Sequence, residues 1–491
     1  MKQIAKGSTI LTGVSIGEMF TRFVRTKCIA LLLGTSGTGF LAQLTIFFEA
    51  LRLWGDLGAR RAVIKQIAEH RLEKGAISPQ YREVVQTSFF LTLLSSLFFA
   101  TVVIIFSAPI SKFIFGDISH YPFIIFSGAL LPIAALCTVT SSVVKGNLDY
   151  VGFAISTLAG YGAVVLLTPA LLYFFREWGG AITQGLFFIC PLIAYLIMNA
   201  KKQFLHFSTK ISMRALKEQF SQGFLQIYQD SWTHLMRIVL GIWIVRSLGF
   251  SAMGIYQVVI TFTTVYMAIP LHAMNGYVFP LIAGAKTPEE VNLAINESLR
   301  FLLFVLVPVI VLVMVLPEFL IYFFFSKDFL AASPILQIQL LNTLFVLMSY
   351  PYAMALVARG KLRSVYISST IYPCFFGIMA WFFFPHWQLV GVAAAFAVAG
   401  FQHYWLQQHL AGRHFNTKLL PKNQKLIAMT FLWMGMTFAG MHYFDHPLTR
   451  VFLLAFAAVW FMVSSKDHER DFLWTIPGKI FRRHPLVKRP V

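Results

Sequence analysis

Three charged residues near the start of the chain share one face of an apolar segment. The segment 13–34, GVSIGEMFTRFVRTKCIALLLG, is long enough to cross a membrane, and Glu18, Arg22 and Arg25 stand in it at helical steps of four and three. Because charge is costly at the centre of a bilayer, such residues face a bundle interior or a wet cavity. Guanidinium groups in a cavity suit phosphate oxygens, which accept paired hydrogen bonds from one arginine. Lys27 points to another face and is assigned no role.

Two further apolar segments carry polar faces of the same kind. In the first of them, near 38–62, residues of alternating sign follow at steps of three and four: Glu49, Arg52, Asp56 and Arg60. In the second, near 219–246, the steps are four, four, four and three: Gln222, Gln226, Asp230, His234 and Arg237. Three helices with polar faces at mid-depth indicate a shared polar cavity.

The residues on these faces are candidates for phosphate binding and for ion coupling. We predict that four arginines bind an anionic phosphate: Arg22, Arg25, Arg52 and Arg237. Asp230 and His234 are the main candidates for ion coupling, because a carboxylate and an imidazole can exchange a proton or hold a cation. Three further acidic residues are weaker candidates for ion coupling: Glu18, Glu49 and Asp56. Each acid also has a basic neighbour at helical spacing, so simple internal pairing stays an open alternative.

Several catalytic and energy-coupling motifs are missing from the sequence. It contains no G-x-x-x-x-G-K-[ST] motif, and no loop is long enough for a nucleotide-binding domain. Cysteine and histidine clusters at metal-binding spacing are also missing. We therefore expect no catalytic residues, no metal and no cofactor, and a proton or sodium gradient is the candidate energy source.

Composition places these segments in a membrane. Hydrophobic residues make up 57% of the 491 and charged residues 12%, against roughly 45–50% and about 25% in soluble proteins. We predict an all-α polytopic membrane protein, whose fourteen spans lie near 9–33, 38–62, 84–106, 121–144, 151–175, 181–200, 219–246, 252–283, 299–325, 333–357, 364–384, 388–410, 425–444 and 448–464. The net charge of +20 falls mostly in loops, so nucleic acid is not an expected partner. All four cysteines lie in apolar segments, which argues against a disulfide framework.

The loops predict the orientation of the chain. Loops after even-numbered spans are basic, such as ARRAVIKQIAEHRLEK at 59–74, whereas loops after odd-numbered spans are short and poor in charge, such as REWGG at 176–180. The positive-inside rule then places both termini, and the basic tail at 465–491, in the cytoplasm.

The two halves of the chain contain an internal repeat. Gly34 and Gly39 in LLGTSGTGFLAQ match Gly249 and Gly254 in RSLGFSAMGIYQ at an offset of 215, which also carries Arg22 onto Arg237. After the fourth and tenth spans, Gly146 matches Gly360 at an offset of 214. We therefore predict two six-helix lobes in parallel orientation around a central cavity. The predicted divisions are lobes at 1–200 and 219–412, a linker at 201–218, two extra helices at 413–464 and the tail.

Four stretches of the chain resemble, in the same order, segments of Wzx-type polysaccharide flippases. They are 25–70, 107–117 (SAPISKFIFGD), 251–283 and 323–345. This family includes O-antigen and lipid III translocases of the multidrug/oligosaccharidyl-lipid/polysaccharide exporter superfamily. The resemblance covers about residues 1–412; the two extra spans are more like the fourteen-helix lipid II flippases.

The resemblance implies an activity and a location. Such flippases carry a polyprenyl-diphosphate-linked oligosaccharide, as in O-antigen and lipopolysaccharide assembly, from the cytoplasmic to the periplasmic leaflet of the bacterial inner membrane. They do so by alternating access, through a cavity with cationic residues, which supports the four arginines named above. Expected partners are the lipid-linked glycan, the bilayer and other membrane proteins of glycan assembly. The alternatives are a cation-coupled multidrug antiporter of the same superfamily, a membrane glycan polymerase or ligase, and a non-transporting scaffold.

Overall fold

The computed structural model of the chain is built from helices. It describes residues 2–58, 60–70, 78–266, 278–279, 281–443, 449–450, 452–453 and 455, and over these ranges there is no β-strand. By length and composition, eight of the helices in these ranges can cross a membrane. The predicted class, an all-α polytopic membrane protein, is confirmed.

Four of these eight helices are hairpins rather than single rods. Each interrupts its helical backbone at one residue: Gly34, Arg176, Gly249 or Gln388. A straight helix of 54 residues, the length of the first, would measure about 80 Å, far more than a hydrocarbon core of about 30 Å. Instead the two arms of a hairpin run side by side: the hydroxyls of Thr157 and Tyr195 lie 2.6 Å apart across the second hairpin. The eight helices therefore provide twelve crossings.

The first lobe consists of six helices. Their bounds are Lys2–Gly55 (α1), Arg60–Glu69 (α2), Pro79–Ile105 (α3), Ser107–Phe115 (α4), Tyr121–Gly146 (α5) and Tyr150–Lys202 (α6). Helices α1 and α6 are hairpins, α3 and α5 are single crossings, and α2 and α4 are short connecting helices. Helix α3 begins with Pro79 in its first turn behind the cap residue Ser78, whose hydroxyl accepts a hydrogen bond from the Tyr81 amide.

The second lobe repeats this order of elements. Its helices are Met213–Ile260 (α7), Pro288–Val315 (α8), Pro317–Phe324 (α9), Ser333–Ala358 (α10) and Leu362–Phe415 (α11). A π-helix at Thr261–Tyr266 continues α7, and a 3₁₀-helix at Lys327–Ala332 leads into α10. One further helix, Pro421–Tyr443 (α12), packs on α8 and occupies most of the thirteenth predicted span. Most of the fourteenth span falls outside the described residues, and the tail at 465–491 lies wholly outside them.

The bundle has two distinct ends. The four hairpins turn at one end, which also carries α4 and α9 and is called the turn end below. The loops at the opposite end carry most of the lysines and arginines, for example Lys65, Lys145 and Arg359, and that end is called the basic end. This division matches the alternation of loops predicted from charge.

The backbone supports the repeat and corrects its register. Gly34 and Gly249, matched at an offset of 215, both have positive φ, 64° and 83°, and both form hairpin turns. Farther along each lobe the offset is 212: Arg176 (φ 51°) corresponds to Gln388 (φ 49°), and Leu148 (φ 59°) to Gly360 (φ 65°). The predicted match of Gly146 with Gly360 is thus two residues out of register, because the turn conformation belongs to Leu148.

Two predicted spans have different ends in the structure. The span predicted at 38–62 stops at Gly55, and Arg60 begins the separate helix α2. The span predicted at 299–325 ends at Val315, because the chain breaks at Leu316 and restarts with Pro317 at the beginning of α9.

Candidate functional site

The two lobes meet chiefly along the hairpins α1 and α7. At the turn end their backbones almost touch: a methyl group on Gly39 would lie 1.9 Å from the Phe250 carbonyl oxygen, and one on Gly254 would lie 2.0 Å from the Thr35 carbonyl oxygen. The two contacts are reciprocal, as expected for equivalent residues around a pseudo-twofold axis. This contact brings the three predicted polar faces toward one another.

Arg22 and Glu18 form an accessible ion pair on the first arm of α1. The Arg22 Nε and Nη2 atoms donate to Glu18 Oε1 at 3.1 and 3.0 Å. The Arg22 side chain nevertheless stays 49% exposed. Its guanidinium also lies 5.7 Å from the centre of the Phe187 ring on α6. The pairing predicted as an alternative is therefore present, and it leaves part of the guanidinium open.

Arg25 has neutral partners instead of a carboxylate. Its Nε donates to Thr183 Oγ1 at 3.1 Å and its Nη2 to the Gly180 carbonyl at 3.2 Å, both on α6. The Phe187 ring centre lies 5.9 Å away. Hydrogen bonds of this kind hold the side chain in place without neutralising it, so Arg25 contributes a full positive charge to the site.

Glu49 and Arg52 pair on the second arm of α1. Arg52 Nη2 and Nε donate to Glu49 Oε2 at 2.7 and 3.1 Å, and the guanidinium lies 5.7 Å from the Phe188 ring centre. The two side chains are about a quarter exposed, 22% for Arg52 and 25% for Glu49. Two adjacent phenylalanines of α6 thus support three arginines of α1.

Glu49 connects the charges of the two lobes. Besides Arg52, its carboxylate interacts electrostatically with Arg22 and with His234 of α7, and it also attracts Arg237. Among the described residues, Arg237 donates no hydrogen bond. Hydrogen bonds and electrostatic interactions therefore connect seven of the predicted residues of the two lobes, which we call the cavity cluster: Glu18, Arg22, Arg25, Glu49, Arg52, His234 and Arg237.

Asp230 lies at a second site, within the second lobe. It accepts a hydrogen bond from Gln226 and lines a cavity of about 310 Å³ between α7, α10 and α11, together with Tyr372, His403 and Gln407. Buried polar atoms there, His403 Nδ1 and Gln407 Oε1, have no hydrogen-bond partner in the described part of the chain. This combination of groups can hold a small cation or a proton.

The structure shows other contacts than predicted for the pair Asp230 and His234 and for Asp56. His234 interacts electrostatically with Asp230, but no hydrogen bond joins them in the described ranges, and His234 Nδ1 is buried without a partner. Asp56 is buried where α1 ends; it accepts a hydrogen bond from the Gly58 amide at 3.2 Å and is attracted by Arg52 and Arg60. Asp56 therefore stabilises the turn that follows α1, outside the cavity cluster.

Several residues of the two sites were not predicted from the sequence. Phe187 and Phe188 sit in LFFIC, a run that looks lipid-facing, so the sequence offered no signal for them. For His403 and Gln407 the sequence did contain a signal, because FQHYWLQQH places polar residues within an apolar span, as on the charged helices.

A family model and curated relatives match this chain. The model, described as polysaccharide biosynthesis protein, matches residues 28–334. A lipid III flippase of Escherichia coli (strain K12) is 22% identical over 398 residues, which cover 80% of this chain and 94% of that protein. A lipid III flippase of Shigella flexneri matches with the same identity and coverage.

Solved structures share the fold. A lipid II flippase, MurJ, in an inward closed conformation superimposes with a TM-score of 0.70 at 17% identity, covering 94% of this chain and 99% of that one. An inward-facing multidrug resistance MATE family transporter of the MOP superfamily gives a TM-score of 0.66 at 15% identity, covering 83% and 94%. The relatives are flippases and transporters rather than enzymes, as the sequence predicts for this chain. With the family model spanning more than half of its length, the chain belongs to the polysaccharide biosynthesis protein family.

Proposed function

We propose that this chain is a flippase that moves a polyprenyl-diphosphate-linked oligosaccharide, such as an O-antigen repeat unit, from the cytoplasmic to the periplasmic leaflet of the bacterial inner membrane. The lipid III flippases similar to it support the substrate class. The basic loops support an orientation with the basic end, and both termini, in the cytoplasm. The turn end then faces the periplasm.

The charge balance of the cavity cluster carries the proposal. It contains four guanidinium groups and two carboxylates, Glu18 and Glu49, while the charge of Asp56, which attracts Arg52, is balanced by Arg60 outside the cluster. Two positive charges are then uncompensated when the imidazole is neutral. Each phosphate of a diphosphate diester carries one negative charge, and this head group would bring the cluster to neutrality. Arginines suit such a group because each can donate two parallel hydrogen bonds to phosphate oxygens.

Each part of the substrate has a place in this scheme. Arg25 and Arg237, which make no hydrogen bond to a carboxylate in the described part of the chain, offer their charges to the diphosphate from opposite lobes. Arg22 and Arg52 exchange part of their bonding to Glu18 and Glu49 for phosphate oxygens. The sugars occupy the wet space between the lobes while the polyprenyl chain stays in the bilayer. Transport follows when the lobes open alternately at the two ends of the bundle.

The same charge balance disfavours the alternative of an antiporter for organic cations. A site with surplus arginines repels a cationic drug, whereas cation binding favours acidic or aromatic cavities. The fold shared with a MATE transporter therefore does not extend to its ligand chemistry in our proposal.

We also propose that Asp230 couples transport to a proton or sodium gradient. Its carboxylate borders the cavity in the second lobe, beside polar atoms without a partner among the described residues, and it interacts electrostatically with His234 of the cavity cluster. Binding of the ion at Asp230 then changes the field felt by His234 and the arginines. In Asp230→Asn we expect substrate flipping that no longer responds to an imposed gradient.

Reconstitution into liposomes tests the flippase directly. A fluorescent polyprenyl-diphosphate oligosaccharide is placed in both leaflets, and a membrane-impermeant quencher reports how fast the inner pool reaches the outer leaflet. We expect faster exchange than in protein-free liposomes, and faster than for a lipid with a neutral head group. Equal rates with and without protein, under every gradient tested, would refute the proposal. Asp230→Asn, run beside the wild type with and without a gradient, tests the coupling separately.

A further inference from the structure

Lys27 reaches from the first lobe into the second at the turn end. It lies on the first arm of α1, and its ammonium donates to the Tyr322 carbonyl at 2.8 Å and to the Phe325 carbonyl. These carbonyls belong to the last turn of α9 and the residue just after it. Lys27 also lies 5.6 Å from the centre of the Tyr322 ring.

Arg246 makes the corresponding contact in the opposite direction. It lies near the end of the first arm of α7, in the second lobe. Its Nη2 donates to the carbonyls of Lys112 and Phe113 at 3.1 and 2.8 Å, in the last turns of α4 in the first lobe. Its guanidinium lies 5.7 Å from the Phe113 ring centre.

The two contacts have the same form in both lobes, although the cations lie one helical turn apart in the repeat: at the offset of 215, Arg246 corresponds to Leu31 and not to Lys27. Helix α4 follows the crossing α3 in the first lobe, just as α9 follows α8 in the second. Each short helix ends in carbonyl groups at the negative end of its dipole; the Lys112 carbonyl also accepts a hydrogen bond from the Gly116 amide. In both cases a cation from the first arm of the opposite lobe's leading hairpin satisfies these carbonyls. The chemistry is conserved between the lobes although one cation is lysine and the other arginine.

Both contacts lie where the lobes are closest. The reciprocal backbone contact of Gly39 and Gly254 is at the same end, and the Thr35 and Ser251 hydroxyls lie 2.8 Å apart across the lobe boundary there. Separating the lobes at the turn end would break all of these contacts together. It would remove these protein partners from the partly buried Lys27, from the exposed Arg246 and from two helix C-termini.

We propose that Lys27 and Arg246 form a reciprocal pair of cationic caps that hold the gate at the turn end closed. The proposal rests on the proposed function in one respect, since alternating access requires this gate to open. The caps bind backbone carbonyls and not acidic side chains, so the gate is held without placing further carboxylates near the path of an anionic substrate.

Distances between two spin labels, measured by double electron–electron resonance, test the gate without relying on transport. Spin labels are attached at Glu177→Cys and His386→Cys, both exposed at the turn end in opposite lobes, in the full chain with its four native cysteines replaced. The caps are removed by Lys27→Met and by Arg246→Met, singly and together. Because a hydrogen bond to a charged group shifts an equilibrium by roughly tenfold or more, each single variant should raise the long-distance population about tenfold relative to the parent. The double variant should raise it further.

Control variants keep the result interpretable. Lys327→Met removes an exposed cation of the turn end that makes no hydrogen bond or ion pair in the described part of the chain, and it should leave the distances unchanged. Lys27→Arg and Arg246→Lys keep a cationic donor and should stay close to the parent. Parent-like distances in folded Lys27→Met and Arg246→Met would overturn the proposal, as would an equal shift in Lys327→Met. If the caps shift the distances but the wild type moves no lipid in liposomes, the gate stands and the flippase proposal falls.

Discussion

The two lobes share one helical plan but differ in where they place charge. The cavity face of the first lobe carries Glu18, Arg22, Arg25, Glu49 and Arg52, whereas that of the second carries His234 and Arg237. Within the described residues, the buried apolar side chains of the first lobe divide among four separate clusters. Most of those of the second lobe join in one continuous cluster that reaches across to Ala30, Ala42 and Ile46 of α1.

The difference shows how one helical architecture can serve in one lobe for substrate contact and in the other for firm support. A wall of charged side chains needs hydrogen-bond partners and space, and both interrupt apolar packing. The second lobe keeps its core continuous and holds polar groups around a cavity that includes Asp230. We infer that the first lobe is the main contact for the substrate and that the second is the firmer partner against which it moves. The following predictions test this comparison.

The largest effect on transport is expected from removing the two cluster arginines that make no hydrogen bond to a carboxylate in the described ranges. Arg25→Gln and Arg237→Gln should each slow flipping by about tenfold to a hundredfold, because each loses a charge-assisted hydrogen bond to phosphate. The measurement is the liposome exchange rate at equal protein incorporation. Arg176→Gln, an exposed arginine at a hairpin turn, is the matched control and should transport normally. Normal flipping in Arg237→Gln beside lost flipping in Arg25→Gln would confine the site to the first lobe.

An intermediate effect, a loss of stability, is expected from substitutions at the backbone contact between the lobes. It should be similar in both lobes because each contributes an equivalent glycine. Gly39→Ala and Gly254→Ala each push a methyl group into the opposite lobe, and each should lower the free energy of unfolding by about 1–3 kcal/mol. Denaturant unfolding in detergent measures this. Gly162→Ala is the control: its new methyl group meets nothing within 4 Å, and it should stabilise its helix by about 0.5–1 kcal/mol. Clearly unequal losses at Gly39 and Gly254 would argue against a symmetric contact.

The smallest effect should come from the basic end, where α2 of the first lobe meets α7. Lys65 Nζ donates to Glu218 Oε1 at 2.8 Å and Gln66 Nε2 donates to Glu218 Oε2 at 3.1 Å. The hydrogen bond from Lys65, followed by that from Gln66, lowers the pKa of the Glu218 carboxyl. The ion pair therefore contributes stability above the ordinary pKa range of glutamate, and this contribution is lost as the pH falls through the lowered pKa.

Thermal unfolding across an acidic pH series measures this contribution. The wild type should lose a small increment of stability that Glu218→Gln does not lose, since exposed pairs contribute little. Parallel pH profiles for the two proteins would show that this contact does not help to hold the lobes together.

Local features of the chain were predictable because they depend on neighbours in sequence. Apolar runs and helical spacing identified the crossings and the three polar faces, and the matched pair Gly34 and Gly249 identified two equivalent hairpin turns. Helix ends were less predictable where proline and short connecting helices intervene, as at Pro317. The pairing of Glu18 with Arg22, and of Glu49 with Arg52, followed from spacing alone, because both partners lie on one helix.

Contacts between helices could not be predicted from the sequence and are known only from the tertiary structure. Arg25 finds Thr183 and Gly180 on a helix more than 150 residues away, Asp230 joins His403 around a cavity, and Lys27 crosses to the other lobe. No spacing within one helix encodes these pairings, because they depend on how the helices rotate and pack against each other. The sequence by itself determined which helix faces are charged and that the chain is duplicated. Packing decided which charges are neutralised, which stay open toward an anionic substrate, and which join the lobes.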